Sequence, residues 1–315
     1  MKLRDLSVLL ICLFILSCSK SYEGKKVIQP GVNPAVSPKQ NVVAFCRIER
    51  KDETHVFKGY VQNIFEKNII GSFGDGILDP VRLSWSPDGK KIAAGGFAEG
   101  KFNIWIFDPW GKEKPIMITD YQRKPDKEWV SSDSKTRFLD TQFMQNPSWA
   151  PTGELIAFSF HDIGKTAIWV VSLKDKNLEQ LTQGPVDDQP CFSTDGLRIA
   201  YTTCTCDNGK EIMEVTLKDK TIQPLISSPF NEEDPAWSPN GKYIAFVSDR
   251  DRSNQIWIRR MSDSLEYQFT YGGKKETCYS PTWTPDGRYL LYSKHEVGGI
   301  WMKEFNPDIF KTHAR

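Results

Sequence analysis

The hydrophobic pattern of this chain repeats six times. In each copy a short polar segment leads into an aromatic or apolar position, a turn of the Ser-Pro-Asp-Gly kind and an apolar stretch typical of a half-buried strand. The copies begin at Asn33, Val81, Asn146, Gln189, Asp234 and Ser280. Successive turns are separated by 49, 64, 43, 45 and 46 residues, counted at Pro38, Pro87, Pro151, Thr194, Pro239 and Pro285. A period of this size holds four short strands, which predicts an all-β fold, a six-bladed β-propeller of four-stranded antiparallel blades.

The fifth copy indicates how one blade is built. Pro235–Ser238 is predicted to be the innermost strand, and Tyr243–Ser248, Gln255–Arg260 and Tyr267–Thr270 are predicted to follow it outward. The intervening Pro and Gly supply the restricted φ and the positive φ that the turn requires. An apolar residue, aromatic in five copies, precedes the turn, and we predict that it packs each blade on the next: Val36, Trp85, Trp149, Phe192, Trp237 and Trp283.

The last copy is one strand short. Pro281–Thr284, Tyr289–Ser293 and Gly299–Phe305 provide three strands, and no fourth follows. At the other end of the chain, Lys25–Gln29 precedes the first copy just as Gln223–Ile226 precedes the fifth. We therefore predict that the N-terminal strand completes the last blade, which removes an exposed sheet edge and closes the ring without a covalent link.

One interval is unusually long, and its extra length falls in residues 120–145. This predicted loop mixes charges with aromatic residues, among them Trp129 and Phe138. Loops of this length in compact domains are commonly functional or disordered. Two interpretations remain open: a loop that contacts a partner or ligand through Trp129 and Phe138, and a passive decoration.

The N-terminus has the features of an export signal. Lys2 and Arg4 precede the apolar run Leu6–Leu16, which is short for a transmembrane helix. The run ends in Ile15-Leu16-Ser17-Cys18, which resembles the lipobox of bacterial lipoproteins. The resemblance implies a signal peptide over 1–17, lipidation of Cys18, a tether over 18–24 and a propeller over 25–315. Ser19 after the Cys favours an outer-membrane lipoprotein facing the periplasm; an ordinary signal peptide or a membrane anchor is the alternative.

The repeat itself resembles the WD-like propeller repeat of the periplasmic protein TolB. Trp85–Ala93, Trp237–Trp257 and Trp283–Tyr292 are the segments most similar to it, within a resemblance that covers about 26–315. It implies a non-enzymatic, monomeric binding module of the cell envelope that presents its channel face to a protein or glycan partner. TolB carries an α/β domain before its propeller, and we expect that domain to be absent here. Propellers of this repeat type also precede peptidase domains.

The composition and the spacing of reactive residues limit the kinds of site that the chain is expected to contain. The formal charge is +1, so the chain lacks the basic excess typical of a nucleic-acid-binding surface. His55, His161, His295 and His313 form no pair with metal-ligand spacing, and no G-x-S-x-G motif occurs. We therefore expect no catalytic residue, no cofactor and no dedicated metal site. His161 and His295 do occupy equivalent positions, after the second strand of blades 3 and 6.

Oxygen-bearing side chains recur where each blade leads into the next innermost strand. Because these connections converge at one end of the channel, we predict channel-mouth binding by Asn33, Asp79, Asn146, Asp188, Asp234 and Ser280. Such a ring suits a cation, a sugar or the basic part of a peptide. Local capping of backbone donors is the competing interpretation. The alternative function is a metal-dependent hydrolase or lactonase that holds a divalent cation with Asp79, Asp188 and Asp234.

Overall fold

The computed structural model describes residues 24–312, apart from 52–53, 99–100, 121–142, 163, 206–208, 274–275 and 296–297. Within these residues, 24 strands form six four-stranded antiparallel sheets, so the predicted six-bladed propeller is confirmed. The described part also contains a short helix, α1 (Ile309–Thr312). Among the described residues, no helix has the length and apolar character needed to cross a membrane.

Five blades follow chain order from the channel outward, and the sixth takes its outermost strand from the N-terminus. Blade 1 comprises β2 (Val32–Val36), β3 (Val42–Lys51), β4 (Thr54–Asn63) and β5 (Ile69–Phe73); blade 2, β6 (Leu78–Trp85), β7 (Ile92–Ala98), β8 (Lys101–Phe107) and β9 (Ile116–Met117); blade 3, β10 (Phe143–Trp149), β11 (Leu155–Asp162), β12 (Lys165–Ser172) and β13 (Leu178–Gln180).

Blades 4 to 6 have the same layout. Blade 4 comprises β14 (Asp187–Phe192), β15 (Arg198–Thr205), β16 (Gly209–Thr216) and β17 (Ile222–Ile226); blade 5, β18 (Glu232–Trp237), β19 (Tyr243–Ser248), β20 (Gln255–Arg260) and β21 (Glu266–Gln268); blade 6, β22 (Cys278–Trp283), β23 (Tyr289–Lys294), β24 (Ile300–Glu304) and β1 (Lys25–Ile28).

The ring closes through β1, as predicted. β1 pairs antiparallel with β24, with Lys25 opposite Met302 and Ile28 opposite Ile300. Val27 and Ile28 are buried in a cluster that also contains residues of blades 1 and 6. The N-terminal strand therefore supplies both the missing hydrogen-bonded edge and apolar contacts between the first and last blades.

The antiparallel order gives the ring two distinct faces. We call one the mouth face: it carries the connections into each innermost strand and the hairpins between the second and third strands. We call the other the turn face: it carries the Ser-Pro-Asp-Gly turns and the turns between the third and fourth strands. On the turn face, Ser86 donates to Asp88 and accepts from the backbone N–H of Lys91 at 2.9 Å, while Gly89 has a φ of +71°. The motif therefore stabilises its own turn through hydrogen bonds between neighbouring residues.

The apolar residue before each turn packs adjacent blades together, as predicted. The Trp85 indole N–H donates to the carbonyl of Ala35 at 2.9 Å, and that of Trp283 donates to the carbonyl of Ala236 at 3.0 Å. In blade 2, Ser84 occupies the position of Ala35 and Ala236. Its Oγ accepts the backbone N–H of Trp149 at 2.8 Å, so here the bond involves the main chain of the tryptophan and not its indole. Hydrogen bonds thus cross the blade boundaries beside the buried aromatic contacts.

Replacing Ile28 with Ala should lower the free energy of unfolding by about 2–4 kcal/mol, because it removes a fully buried side chain from the closure strand. Urea denaturation followed by fluorescence measures the change. The control is Lys25→Ala in the same strand, whose side chain is exposed and whose loss should change stability by about 0.5 kcal/mol or less. Equal effects of the two substitutions would show that β1 does not close the ring.

Candidate functional site: the channel mouth

The six innermost strands enclose a channel of about 320 Å³. Proline is the commonest residue of its wall. Five innermost strands contribute one each, and three of the six following turns contribute another: Pro34, Pro147, Pro190, Pro235 and Pro281, and Pro38, Pro239 and Pro285. Proline has no backbone N–H, so these positions present no main-chain donor to the channel. Arg82 is the charged side chain in the channel lining.

One position in each innermost strand, three residues before the apolar packing residue, forms a ring at the mouth face. We call it the mouth ring: Asn33, Arg82, Asn146, Gln189, Asp234 and Ser280. Five of these residues have a φ between +53° and +64°, and the pairing with the second strand shifts register around them. Each of these five innermost strands therefore bulges at the channel mouth, which sets the direction of the mouth-ring side chain.

In blade 2 the mouth ring contains Arg82 and not the predicted Asp79. Trp85 pairs with Ile92 as Trp237 pairs with Ile244, which makes Arg82 the counterpart of Asp234. Asp79 lies earlier in β6, within a longer bulge between Leu78 and Leu83. The Asp79-Pro80 pair has the expected residue types, but that Pro lies five residues before the Trp instead of two. Counting back from the packing residue in every copy would have identified Arg82.

Arg82 and Asp234 form an ion pair across the channel, between the opposite blades 2 and 5. Their side chains are 18% and 4% exposed. Burial lowers the pKa of the Arg82 guanidinium, and the Cys191 thiol and the carboxylates of Asp188 and Glu233 act in the opposite direction. An arginine stays protonated even so. A buried charge of this kind needs its partner, so the pair holds the two sides of the mouth together.

Asp234 also joins three adjacent blades. Its second carboxylate oxygen accepts the backbone N–H of Ser280 in blade 6 at 2.6 Å. Its own backbone N–H lies 3.0 Å from Oε1 of Gln189 and 3.1 Å from Oγ1 of Thr202, both in blade 4. The predicted binding residue therefore has a structural role in the mouth ring.

The remaining predicted residues continue this network. Asp188 accepts hydrogen bonds from the Asn146 side chain and the Gln189 backbone, both at 2.7 Å. Asn146 in turn accepts the backbone N–H of Arg82 at 3.4 Å. Asn33 accepts the Ser280 hydroxyl at 3.2 Å, which links blades 1 and 6. Asn33, Asn146, Asp188, Asp234 and Ser280 thus meet in one network, while their binding role stays a prediction.

A second cluster of charged side chains lies outside the mouth ring. Glu233 forms an ion pair with Lys210 and accepts a hydrogen bond from Asn254 at 3.3 Å. The fully buried Glu232 pairs with Arg250 at 2.8 Å, and Arg250 also pairs with Glu266. These contacts concentrate charged side chains beside the channel mouth on blades 4 and 5.

Three successive connections on the mouth face each expose a large apolar side chain. Val186 lies between blades 3 and 4, Phe230 between blades 4 and 5, and Tyr271 between blades 5 and 6. Their exposed fractions are 44%, 45% and 43%. We call these three residues the apolar sector. The repeat motif does not include them, so the sequence patterns gave no reason to select them.

The two equivalent histidines lie on opposite sides of the mouth face, each against an aromatic ring. His161 stacks on Phe143 with 4.4 Å between ring centroids, and His295 contacts Tyr279 at 4.5 Å. Burial lowers the pKa of both imidazoles. Over the described ranges, no three His, Cys, Asp or Glu side chains converge as a metal site would require.

Some predicted residues lie outside the described residues. These are the lipidation candidate Cys18 and the loop residues Trp129 and Phe138. The predicted loop 120–145 is shorter at its end than the sequence indicated, because β10 already begins at Phe143. Asp120 and Phe143 place both of its attachment points on the mouth face.

Known proteins similar to this chain share its propeller. The model of the TolB beta propeller domain matches residues 189–313. A TolB homologue of Chlorobium luteolum is 26% identical over 232 residues, 70% of this chain and 49% of the relative. The Tol-Pal system protein TolB of Francisella tularensis subsp. holarctica is 24% identical over 205 residues, 64% of this chain and 45% of the relative. The chain therefore spans about half the length of these curated relatives.

The same architecture is found among solved structures. A TolB candidate from Agrobacterium tumefaciens superposes with a TM-score of 0.60 at 16% identity, covering 88% of this chain and 90% of that chain. At this identity the likeness concerns the fold alone.

Replacing Arg82 with Met should destabilise the protein by about 3–5 kcal/mol, because it leaves the Asp234 carboxylate buried without its cation. Chemical denaturation measures the loss. In the double variant Arg82→Met/Asp234→Asn, the combined cost should be smaller than the sum of the single costs by more than about 1 kcal/mol.

The matched control for Arg82 is Arg288→Met. Arg288 pairs with Glu304 at 3.6 Å, but both side chains are more than half exposed. Its loss should cost less than about 1 kcal/mol. Equal effects of the Arg82 and Arg288 substitutions would contradict the importance of the cross-channel pair.

The two mouth-face histidines, which are only partly shielded from water, should make the protein slightly less stable in acid. Because burial lowers the pKa of His295 in the folded state, the unfolded chain binds the proton first as the pH falls below about 6.5. The stability that this histidine contributes is therefore present at pH 7 and is lost on acidification; because water still reaches the His295 ring, the loss should stay well below the limit of about 1.4 kcal/mol per pH unit. Denaturation between pH 7 and pH 5 should show a shallower pH dependence for His295→Gln than for wild type. An unchanged dependence in the double variant His161→Gln/His295→Gln would refute this assignment.

Proposed function

The chain carries a TolB-like six-bladed β-propeller, and we propose that it is a non-enzymatic binding module of the bacterial cell envelope. Its mouth face binds a protein partner, and the channel mouth lies at the centre of the binding surface. The TolB relatives support an envelope location, and one of them is named as a Tol-Pal system protein. The proposal extends from that family likeness to the surface of this chain.

The apolar sector is the observation that carries the proposal. Val186, Phe230 and Tyr271 come from three consecutive connections, and each leaves more than two fifths of its side chain in water. Exposed apolar groups concentrated on one part of a surface commonly mark interaction sites. Aromatic side chains are also enriched among the residues that dominate binding energy at protein interfaces. A protein partner accounts for them better than a small ion does.

The charges beside the apolar sector indicate what that partner presents. Asp188, Glu233 and Asp234 contribute three carboxylates near the mouth, and Arg82 and Lys210 contribute two cations. Carboxylates exceed cations by one among these five groups, and by two when Glu232, Glu266 and Arg250 are included. We propose that the partner brings a basic group, such as a lysine or arginine side chain, to the channel mouth. Such complementarity would set orientation and association rate more than affinity.

The hydrolase alternative places a divalent cation among Asp79, Asp188 and Asp234. Asp234 instead faces the guanidinium of Arg82, so a metal ion there would meet a fixed positive charge. The three carboxylates also occupy three different register positions, since Asp79, Asp188 and Asp234 lie six, four and three residues before the packing residue of their blade. These contacts favour binding over metal-assisted hydrolysis at the mouth.

The anchor is a separate part of the proposal. The segment Ile15-Leu16-Ser17-Cys18 supports cleavage before Cys18 and its lipidation, and Ser19 supports retention in the outer membrane with the propeller facing the periplasm. In this arrangement the lipid supplies attachment and the mouth face remains the binding surface.

Replacing Phe230 and Tyr271 together with Ser should reduce partner capture at least about tenfold, because each removes an aromatic anchor from the interface. Full-length protein in detergent is used as bait in envelope extracts, and quantitative mass spectrometry compares captured proteins. The matched control is Phe65→Ser/Leu197→Ser, which removes two exposed apolar side chains from the turn face. Capture should then remain at the wild-type level.

The reverse result, loss of capture only in the turn-face variant, would contradict the proposed binding face. A glycan array is run with the same variants. Specific glycan binding that depends on Phe230 and Tyr271, without protein capture, would replace the protein partner with a glycan.

A further inference from the structure

The direction of β1 determines where the N-terminal segment leaves the propeller. β1 runs antiparallel to β24, and β24 runs from the mouth face to the turn face. Gly24, just before β1, lies beside Met302 and Lys303 near the turn-face end of β24. The described chain therefore begins at the outer edge of blade 6, beside the turn face.

The length of this segment limits where an anchor can be. Residues 19–23 separate Cys18 from Gly24, and an extended chain of this length reaches at most about 20 Å. A strand such as Leu155–Asp162, which crosses the ring from one face to the other, spans about 25 Å. Starting near the turn face, the segment is too short to carry a lipid past the mouth face.

The turn face beside blade 6 has side chains suited to a lipid surface. Phe65, in a turn of blade 1, is 54% exposed and contacts Tyr289 of blade 6 with 6.3 Å between ring centroids. Lys67 in the same turn is exposed, as is Lys39 in the neighbouring turn of blade 1. The exposed Glu66 lies between Phe65 and Lys67, and Lys39 lies beside Gly89 of blade 2, so this part of the turn face combines an exposed aromatic with charges of both signs. Exposed aromatic side chains accompanied by lysines are typical of protein surfaces that lie in the interfacial region of a membrane.

We infer that the turn-face edge formed by blades 6 and 1, with Phe65 at its centre, rests on the bilayer that holds the lipidated Cys18. The inference rests on the lipidation included in the proposed function, and it names the surface that the anchor brings to the membrane. The mouth face then points away from the bilayer, toward soluble or opposing partners.

This orientation brings the functional parts of the ring to the same side. The apolar sector, the Arg82–Asp234 pair and the attachment points of the long insertion, Asp120 and Phe143, all lie on the mouth face. Blade 3, which follows the insertion, is opposite blade 6 in the ring. A partner could therefore reach the mouth while the protein stays anchored.

Hydroxyl-radical footprinting of the full-length protein tests the orientation. Acylated protein is incorporated into vesicles of phosphatidylethanolamine and phosphatidylglycerol, and the oxidation rates of single side chains are measured by mass spectrometry. The reference is Cys18→Ser protein mixed with the same vesicles. Oxidation of Phe65 should fall at least about threefold in the anchored protein, because the interface excludes water from it. Oxidation of Phe230 and Tyr271 should stay unchanged.

The outcomes separate this inference from the proposals on which it rests. Protection of Phe230 and Tyr271 with Phe65 still oxidised would reverse the orientation and overturn the inference. Equal oxidation of all three in protein whose mass shows acylation would also overturn it while leaving the anchor intact. An unmodified Cys18 would overturn both the anchor and this inference, and the capture experiment on the mouth face would stand independently. Neutral phosphatidylcholine vesicles show whether Lys39 and Lys67 contribute, since protection that persists there depends on Phe65 and the lipid alone.

Discussion

The pairing of β1 with β24 is the constraint on which the rest of the structure depends. Each blade buries its apolar side chains against its neighbours, so an open ring would leave two sheet faces and an edge in water. A four-residue strand closes that gap with backbone hydrogen bonds and with Val27 and Ile28, which pack between blades 1 and 6. The same pairing fixes the position of the N-terminus and so connects the stability of the ring to its orientation.

The mouth ring connects the inner ends of the blades through residues of positive φ and one ion pair. At five positions the innermost strand bulges with a positive φ, and the side chain there contacts a backbone or side-chain group of an adjacent blade. Blade 2 departs from this pattern, since its longer bulge brings Arg82 into the ring to meet Asp234 on the opposite side. The predicted binding residues Asn33, Asn146, Asp234 and Ser280 are therefore also residues that hold the blades at a common centre, and their binding role stays a prediction.

The two faces of the ring differ in how much they vary from blade to blade. The turn face carries the repeated motif, whose Ser, Asp and Gly residues satisfy one another within a few residues of sequence. The mouth face carries positions that differ between blades: the apolar sector, the Lys210–Glu233 pair and the attachment points of the long insertion. A propeller can change Val186, Phe230 and Tyr271 without disturbing the blades, because these residues lie in connections, whereas Lys210 and Glu233 belong to the paired strands β16 and β18.

The sequence by itself determined the number of blades, the turn chemistry, the packing position and the closing strand. The number of blades and the turn chemistry depend on spacing and on contacts within one repeat, and β19 and β20 accordingly match the predicted ranges. The packing position and the closing strand were predicted by comparing the copies of the repeat with one another. Only the tertiary structure decided the site. Arg82 and Asp234 are far apart in sequence and meet because opposite blades face the same channel, while the displaced register of β6 hid Arg82 behind the pair Asp79-Pro80. The exposure of Val186, Phe230 and Tyr271 likewise depends on how the connections between blades lie on the mouth face, which the repeat motif does not include.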